Sequence, residues 1–439
     1  MKSDTLGRQP RRLAVLAYSI TLIGLLGCGP SGAQDDAAQT KRPKPSADAL
    51  REATHPGYTT PTATRQECLG RLVFDVQREI QWGINTSKDS YLSYGVYRFT
   101  DNMRGEHDAV HLADLQIVVS APAKRTDIDR MLNSVAGKKK GSISEYRKEI
   151  ETKKGINEDA TDRLKDPGKN YTPEEREEIR QSIKEYTKEI ERIEADIADI
   201  EKAPPPIKLD IPNSTGYLVG GARAFVYHEG RLYEFLGGGA PAILKRFQFR
   251  KLYEIPKQPG ICIPYGFIPD DGRTYFDTEV SLRYADRPGV IYTIATGVVG
   301  EHGNTGPEPT FINATARAAA GALGGVGGRV QKSVGPRTVH IGALSADQGA
   351  ISLNVSDPGK APVYNYSAYT GYRGEWGSHV LPFITVDMRS FTKEQEPSLK
   401  SNPPPFDESM TRLDGLLKSI RLRPTDPVMP ELLEAAPVK

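Results

Sequence analysis

Two histidines four residues apart, in His107-Asp108-Ala109-Val110-His111, have the spacing that would place both imidazoles on one face of a helix and bind zinc. A hydrolytic site of that type needs a glutamate beside the first histidine to reach the metal-bound water, and here Asp108 stands in its place. The segment also follows Asn102-Met103-Arg104-Gly105 and runs into an apolar strand pattern, so the pair is not read as a metal site. The sequence contains no Gly-x-Ser-x-Gly elbow, no phosphate loop ending in Gly-Lys-Ser/Thr and no dinucleotide fingerprint. The glycines at 321, 324, 325, 327 and 328 lack a lysine and follow no clear strand. With no catalytic residue and no cofactor indicated, binding is the default reading.

The cysteines say more. Lys2, Arg8, Arg11 and Arg12 precede an apolar run, Leu13 to Leu26, that is too short to span a bilayer and reads as a secretory signal. It ends in Leu25-Leu26-Gly27-Cys28, which resembles the lipobox of bacterial lipoproteins, in which the cysteine is lipidated and becomes the first mature residue. The alternative is an ordinary cleaved signal with a chance cysteine. Multiple acyl chains on Cys28 would give stable anchoring, in the periplasm and at the outer membrane. The signal carries those four basic side chains and Asp4, so its removal takes the formal charge from +2 to near −1. A nearly neutral envelope protein offers no electrostatic reason to expect nucleic acid as a partner.

With Cys28 lipidated, Cys68 and Cys262 remain, an even pair in an oxidising compartment, and a disulfide between them is expected. Closing so long a loop would contribute about 4 to 5 kcal/mol on the chain-entropy model. Two buried free thiols are the alternative, since spacing does not show proximity.

The expected organisation is a signal peptide at 1–27, a flexible tether at 28–61, an N-terminal domain at 62–258, a C-terminal domain at 259–424 and a tail at 425–439. The tether is rich in Ser, Ala, Thr, Pro, Lys and Asp, and about thirty such residues reach about 30 Å. The fold class is α+β: two mixed domains with antiparallel sheets, the first interrupted by a helical hairpin at 139–203. Strands are expected at Thr64 to Val76, Tyr94 to Phe99 and Val110 to Val119, then a helix at Asp127 to Ala136.

Within the insertion, Ile179, Ile183, Tyr186, Ile190, Ile193, Ile197 and Ile200 alternate four and three apart, a coiled-coil seam. Thr172-Pro173-Glu174-Glu175 supplies a cap, a first-turn proline and a capping-box glutamate, so a helix runs from Pro173 to about Lys202. A partner helix from about Ser142 to Leu164 turns back at Asp166-Pro167-Gly168, with Lys153 and Asn157 spoiling its seam so that the arm frays or splays there. The hairpin is either a partner-gripping finger or a solvated spacer.

Farther on, Ala224 to Phe235 reads as a strand hairpin turning at Glu229-Gly230. Strands follow at Thr278 to Tyr284, Val290 to Thr296, Thr338 to Leu344, Ala350 to Val355 and Leu381 to Asp387. Ala314 to Gly328 is a small-residue helix or a loose loop, and a last helix runs from Asp407 to about Ile420.

Four segments in order resemble one family. Cys68-Leu69-Gly70-Arg71, followed by a strand ending in Asp75, is similar to the opening of lipoprotein immunity proteins that protect bacteria from their own type VI secretion lipase effectors. Gly260-Ile261-Cys262-Ile263 with Gly266-Phe267-Ile268 resembles the start of that family's C-terminal domain. Pro382 to Met388 and Ser419 to Pro424 resemble its last strand and last helix. The resemblance implies a two-domain periplasmic lipoprotein that is not an enzyme and that binds and blocks a phospholipase of α/β-hydrolase fold. Ser345 to Gly349 departs from the more acidic turn expected, and the 142–202 hairpin is an addition, so no effector-contacting residue is carried over. The rival readings are a housekeeping envelope lipoprotein using its coiled hairpin as an assembly module, and an unrecognised hydrolase.

Overall fold

Gly70 breaks the first apolar run in two. Where a single strand was expected from Thr64 to Val76, β1 (Thr64–Leu69) and β2 (Leu72–Gln77) pair antiparallel, Leu69 opposite Leu72. Gly70 turns the chain with φ +56°, and a Cβ there would come within 2.4 Å of the Phe276 ring. The computed structural model describes residues 45–85, 97–98, 110–112, 115–300, 329–356 and 359–434. The chain divides at Lys44, and the unit described here begins at Pro45.

That unit continues through β3 (Ile80–Asn85), β4 (Tyr97–Arg98), β5 (Val110–Leu112) and β6 (Leu115–Pro122), then helices α2 (Thr126–Lys165) and α3 (Pro173–Lys202). Next come β7 (Ile207–Leu209), β8 (Ser214–Val219), β9 (Arg223–His228), β10 (Arg231–Leu236), the short α4 (Ala240–Leu244) and β11 (Gln248–Phe249). The C-terminal half holds β12 (Gly260–Ile263), β13 (Gly266–Pro269), β14 (Asp277–Tyr284), β15 (Val290–Gly297), β16 (Arg329–Ile341), β17 (Leu344–Asn354), β18 (Tyr364–Tyr372) and β19 (Phe383–Ser390). Helix α5 (Phe406–Ser419), β20 (Arg421–Leu422) and α6 (Pro430–Glu434) end it.

The fold is α+β. Among the described residues one sheet takes fourteen strands, its main path running β16-β17-β18-β19-β15-β14-β3-β6-β10-β9-β8-β7. The pairings are antiparallel except where β3 meets β6 at Asn85 and Ser120. Two three-stranded sheets, β1-β2-β20 and β11-β13-β12, pack beside it. The main core gathers Phe74, Tyr292, Tyr366 and Met388 from the sheets with Leu413 and Leu417 of α5, and a second core gathers Ile117, Val226, Phe235, Ile261 and Ile268.

Alternation along β9 and β10 lets one ribbon serve two layers. Val226 and Phe235 face the second core, while Phe225 and Leu232 face outward to receive Ile128 and Met131 of α2. That docking explains why the two helices expected at 127–136 and 142–164 are one helix of forty residues, about 60 Å long. Its base is pinned to the sheet and its shaft to α3, and Gly137 and Gly141 lie where an added Cβ would touch nothing within 4 Å, so they weaken the helix without breaking it. Helix α3 carries the expected capping box, Thr172 Oγ1 accepting from Glu175 N–H and the Glu175 carboxylate accepting from Thr172 N–H.

The splay expected at Lys153 and Asn157 does not occur. Lys153 donates to Glu189 at 2.6 Å and lies 5.3 Å from the Tyr186 ring centroid, and Asn157 donates to Thr187 Oγ1 at 3.3 Å. Polar pairs thus replace apolar ones along the middle of the seam, with Ile150, Ile190, Ile193 and Ile197 forming a separate small core nearer the sheet.

The stretch expected to be tether up to Pro61 joins the body from Ser46 onward. Ser46 caps α1 (Ala47–Ala53) by accepting from Ala49 N–H, and Leu50 and Ala53 are buried in the main core. Tyr58 then donates to Asp75 at 2.7 Å. Two buried apolar residues in a seven-residue helix leave too little periodicity to recognise in sequence.

Candidate functional site

Cys68 and Cys262 are joined by a disulfide, Cα atoms 5.7 Å apart and 194 residues apart in sequence. The bond sits in a densely polar junction. Gly70 and Cys262 exchange both backbone hydrogen bonds at 2.8 Å, so the β1-β2 turn lies against β12 as a single bridge. Beside it, both Arg71 Nη atoms donate to the Asp270 carboxylate, at 3.1 and 2.8 Å. Burial alone would raise the Asp270 carboxyl, but hydrogen bonds from Arg71 and the Gly272 N–H, with the Arg71 charge, outweigh it and hold the group below the usual carboxylate range.

Two more arginines finish the junction. Arg250 donates to Glu67 at 2.6 Å and to the carbonyls of Ile263 and Gly266, while Glu67 also accepts from Tyr253 N–H at 2.7 Å. Arg423 donates to the carbonyls of Pro256, Gln258 and Gly260. The carbonyls of Pro256 and Gln258 belong to the irregular stretch ahead of β12, and that of Gly260 opens the strand, so a guanidinium with five donors satisfies groups that the sheet does not yet reach. Burial, reinforced by the charges of Arg71 and Arg250, lowers Arg423 to about 10. Segments 68–71, 260–268 and 419–424, three of the four that carry the family resemblance, converge here.

A cleft of about 380 Å³ opens between the Glu229-Gly230 turn and the Pro264-Tyr265 turn. Arg231, the first residue after the former, lays its guanidinium 3.5 Å from the centroid of the Tyr265 ring and donates to the Ser120 carbonyl at 2.9 Å. Tyr265 itself stands at φ +61°, a conformation rare for an aromatic residue, and its carbonyl accepts from the Tyr233 hydroxyl at 3.0 Å. Burial lowers the Arg231 pKa and raises that of Tyr265. On the far wall His228 stacks on Phe249, centroids 4.0 Å apart, with Ser214 Oγ 2.9 Å from its Nδ1. A serine beside an imidazole begins a nucleophile pair, but among the described residues no carboxylate hydrogen-bonds to this ring, and burial lowers its pKa. Nothing in the sequence marked this cleft except an arginine opening a strand directly after a legible turn.

The other positions singled out in sequence fall elsewhere. Val110–Leu112 is a strand, so the helical face that His107 and His111 would need does not form at His111, and His107 lies outside the described residues. No group of three or more metal-ligating side chains is found among the described residues. Cys28, Ala314 to Gly328 and most of Tyr94 to Phe99 lie outside the described residues. A broad groove of about 830 Å³ runs along the base of the hairpin, lined by Lys140, Ile143, Arg147 and Lys148, with Arg147 paired to Glu201 at 3.0 Å.

Residues 254–425 match the family model described as the Tle cognate immunity protein 4 C-terminal domain. The match takes in the C-terminal part of the chain. The immunity domain so defined includes Cys262, Asp270 and Arg423 of the junction and begins four residues after Arg250. Among solved structures, the immunity protein TplEi of the type VI secretion system of Pseudomonas aeruginosa, complexed with "L" peptide, is 16% identical, with a TM-score of 0.45 over 83% of this chain and 99% of that one. Its apo form is 15% identical, with a TM-score of 0.43 over 83% and 98%. A Tle4-Tli4 complex chain is 15% identical, with a TM-score of 0.45 over 84% and 100%. No curated protein sequence matches the chain. The assignment rests on the match to the immunity domain model.

Proposed function

We propose that the protein is an immunity lipoprotein that binds a phospholipase effector of type VI secretion, of α/β-hydrolase fold, and silences it in the periplasm. The observation that carries this reading is the match of residues 254–425 to an immunity domain named for its cognate Tle protein. The signal and lipobox-like run ending at Cys28 support attachment to a membrane, the outer membrane by expectation. An inhibitor of this kind needs no chemistry of its own, only a complementary surface of roughly 1,600 Å² or more, and a rigid surface loses less entropy on binding. The disulfide and its arginine junction supply such rigidity between the β1-β2 turn and the start of the immunity domain.

The immunity reading expects a lipase gene beside this one, and the test is titration of its product with the body from Pro45 onward. Esterase activity should fall towards zero near one equivalent, since an interface of standard size reaches nanomolar affinity. Cys28→Ala should bind equally well in solution and protect cells less. The reading is abandoned if no complex forms at micromolar concentration, or if the protein alone hydrolyses a lipid ester.

A further inference from the structure

The Arg231 cleft holds a half-buried guanidinium without a counter-ion. Of its five donors one is used, on the Ser120 carbonyl, and among the described residues no carboxylate pairs with it. The neighbouring Arg250 differs, its charge being met by Glu67 at 2.6 Å. A charge removed from water and left unpaired is unfavourable in the free protein, and the penalty falls once an anion enters. Tyr265 fixes the plane of the fork from below, so the free donors are presented in one orientation before any ligand arrives.

The rim decides which anion fits. Lys251 adds a positive charge, while Glu229 and Glu254 add two exposed negative ones, so the cleft as a whole accommodates one negative charge better than two. Tyr233, His228 and Phe249 make the walls aromatic, matching the methylenes of a short side chain. A monoanionic, planar, two-oxygen group on an aliphatic stem meets all of these conditions; a dianionic phosphate meets fewer. We propose that the cleft between the Glu229-Gly230 and Pro264-Tyr265 turns is a receptor for a carboxylate side chain, Asp or Glu, presented by the bound effector, with Arg231 as its specificity-determining residue. This rests on the immunity reading for the identity of the partner, whereas the carboxylate chemistry rests on the cleft itself.

The experiment has two arms. In the first, the arginine side-chain N–H signals of the nitrogen-15-labelled body are followed by NMR during titration with N-acetylglutamate N-methylamide, with the glutamine analogue and with inorganic phosphate. The Arg231 signal, assigned by its loss in Arg231→Gln, should shift saturably with the carboxylate probe alone. An equal response to the glutamine analogue, a response to phosphate only, or no response at all overturns the proposal. In the second, Arg231→Gln should bind the lipase at least about 30-fold more weakly than the parent, as expected when one member of a desolvated charge pair is lost. If the parent binds the lipase and Arg231→Gln binds it equally, this inference fails while the immunity reading stands. If the parent binds no lipase but the carboxylate probe still saturates, the immunity reading fails and the receptor stands. Should Arg231→Gln not fold, Arg231→Lys, which keeps the charge and loses the planar fork, replaces it in both arms and should weaken each response several-fold.

Discussion

Arg71 and Asp270 form a bidentate pair across 199 residues of chain, at 3.1 and 2.8 Å, with neither side chain exposed. Removing one partner leaves a buried charge, so Arg71→Met or Asp270→Asn should cost about 3 to 5 kcal/mol in guanidinium unfolding. Replacing both with apolar residues should recover part of that loss. A single variant as stable as the parent would show that the charge had moved to water. The Asp270 carboxyl is depressed in the folded state, so its stabilisation is present above the usual carboxylate pKa and is lost as pH falls through the folded value.

The hairpin should be dispensable for folding. Its own core of Ile150, Ile190, Ile193 and Ile197 is separate from the Ile128 and Met131 contact at its root. Replacing Lys139 to Lys202 with a short Gly/Ser loop should leave a single cooperative melt, because closure entropy changes slowly with loop length. Loss of cooperativity would place the shaft in the body's stability. Survival of folding with loss of lipase inhibition would favour the finger over the spacer.

His379 should make the protein acid-sensitive in a defined window. Its backbone N–H donates to Glu431 at 2.8 Å and its ring meets Tyr275 edge-on at 5.3 Å, and burial, with the charge of Arg71, lowers the imidazole from 6.5 to about 4. The unfolded chain takes up the proton first, so the stability due to neutral His379 is complete above pH 6.5 and falls between 6.5 and about 4. The parent should lose on the order of 2 kcal/mol more than His379→Gln over that window in urea titrations. Parallel pH profiles for the two proteins would refute the assignment.

Truncation distinguishes the tether from the body. A chain starting at Pro45 should be as stable as one starting at Gly29, whereas one starting at Thr59 loses the buried Leu50 and Ala53 and the Tyr58 hydrogen bond to Asp75. The shorter chain should be less stable by about 2 to 4 kcal/mol and melt at a lower temperature. Equal melting of all three would show that α1 contributes nothing.

What was legible in the sequence was what local pattern controls. Thr172 with Glu175 announced α3, the Glu229-Gly230 turn announced β9 and β10, and the stripe of Met410, Leu413 and Leu417 announced α5. Strand β18 was missed because Tyr364 to Tyr372 is almost continuously buried and therefore shows no alternation. One long helix stands where two short ones are expected, because docking of its base on the sheet and of its shaft on α3 carries it across Gly137 and Gly141, and neither contact is visible in local pattern. The cysteine pair was legible from its parity, but the three arginines around it were not. A buried arginine has no periodicity, and its partners are carbonyls scattered over the chain. The Arg231 cleft was hidden for the same reason.

The edge of β2 is closed by β20, Leu72 opposite Leu422 and Val73 opposite Arg421. A strand made early therefore waits for one made 350 residues later, from Leu72 to Leu422. β3 waits likewise for β14, Ile80 opposite Tyr284. Neither half of the chain can bury its sheet edges alone, and contacts this far apart give slow folding with a long interval of bare strand edges. The nascent protein should therefore depend on a holdase until α5 and β20 have emerged, and truncations that remove β20 should be harsher than a two-residue strand suggests, aggregating rather than folding in part.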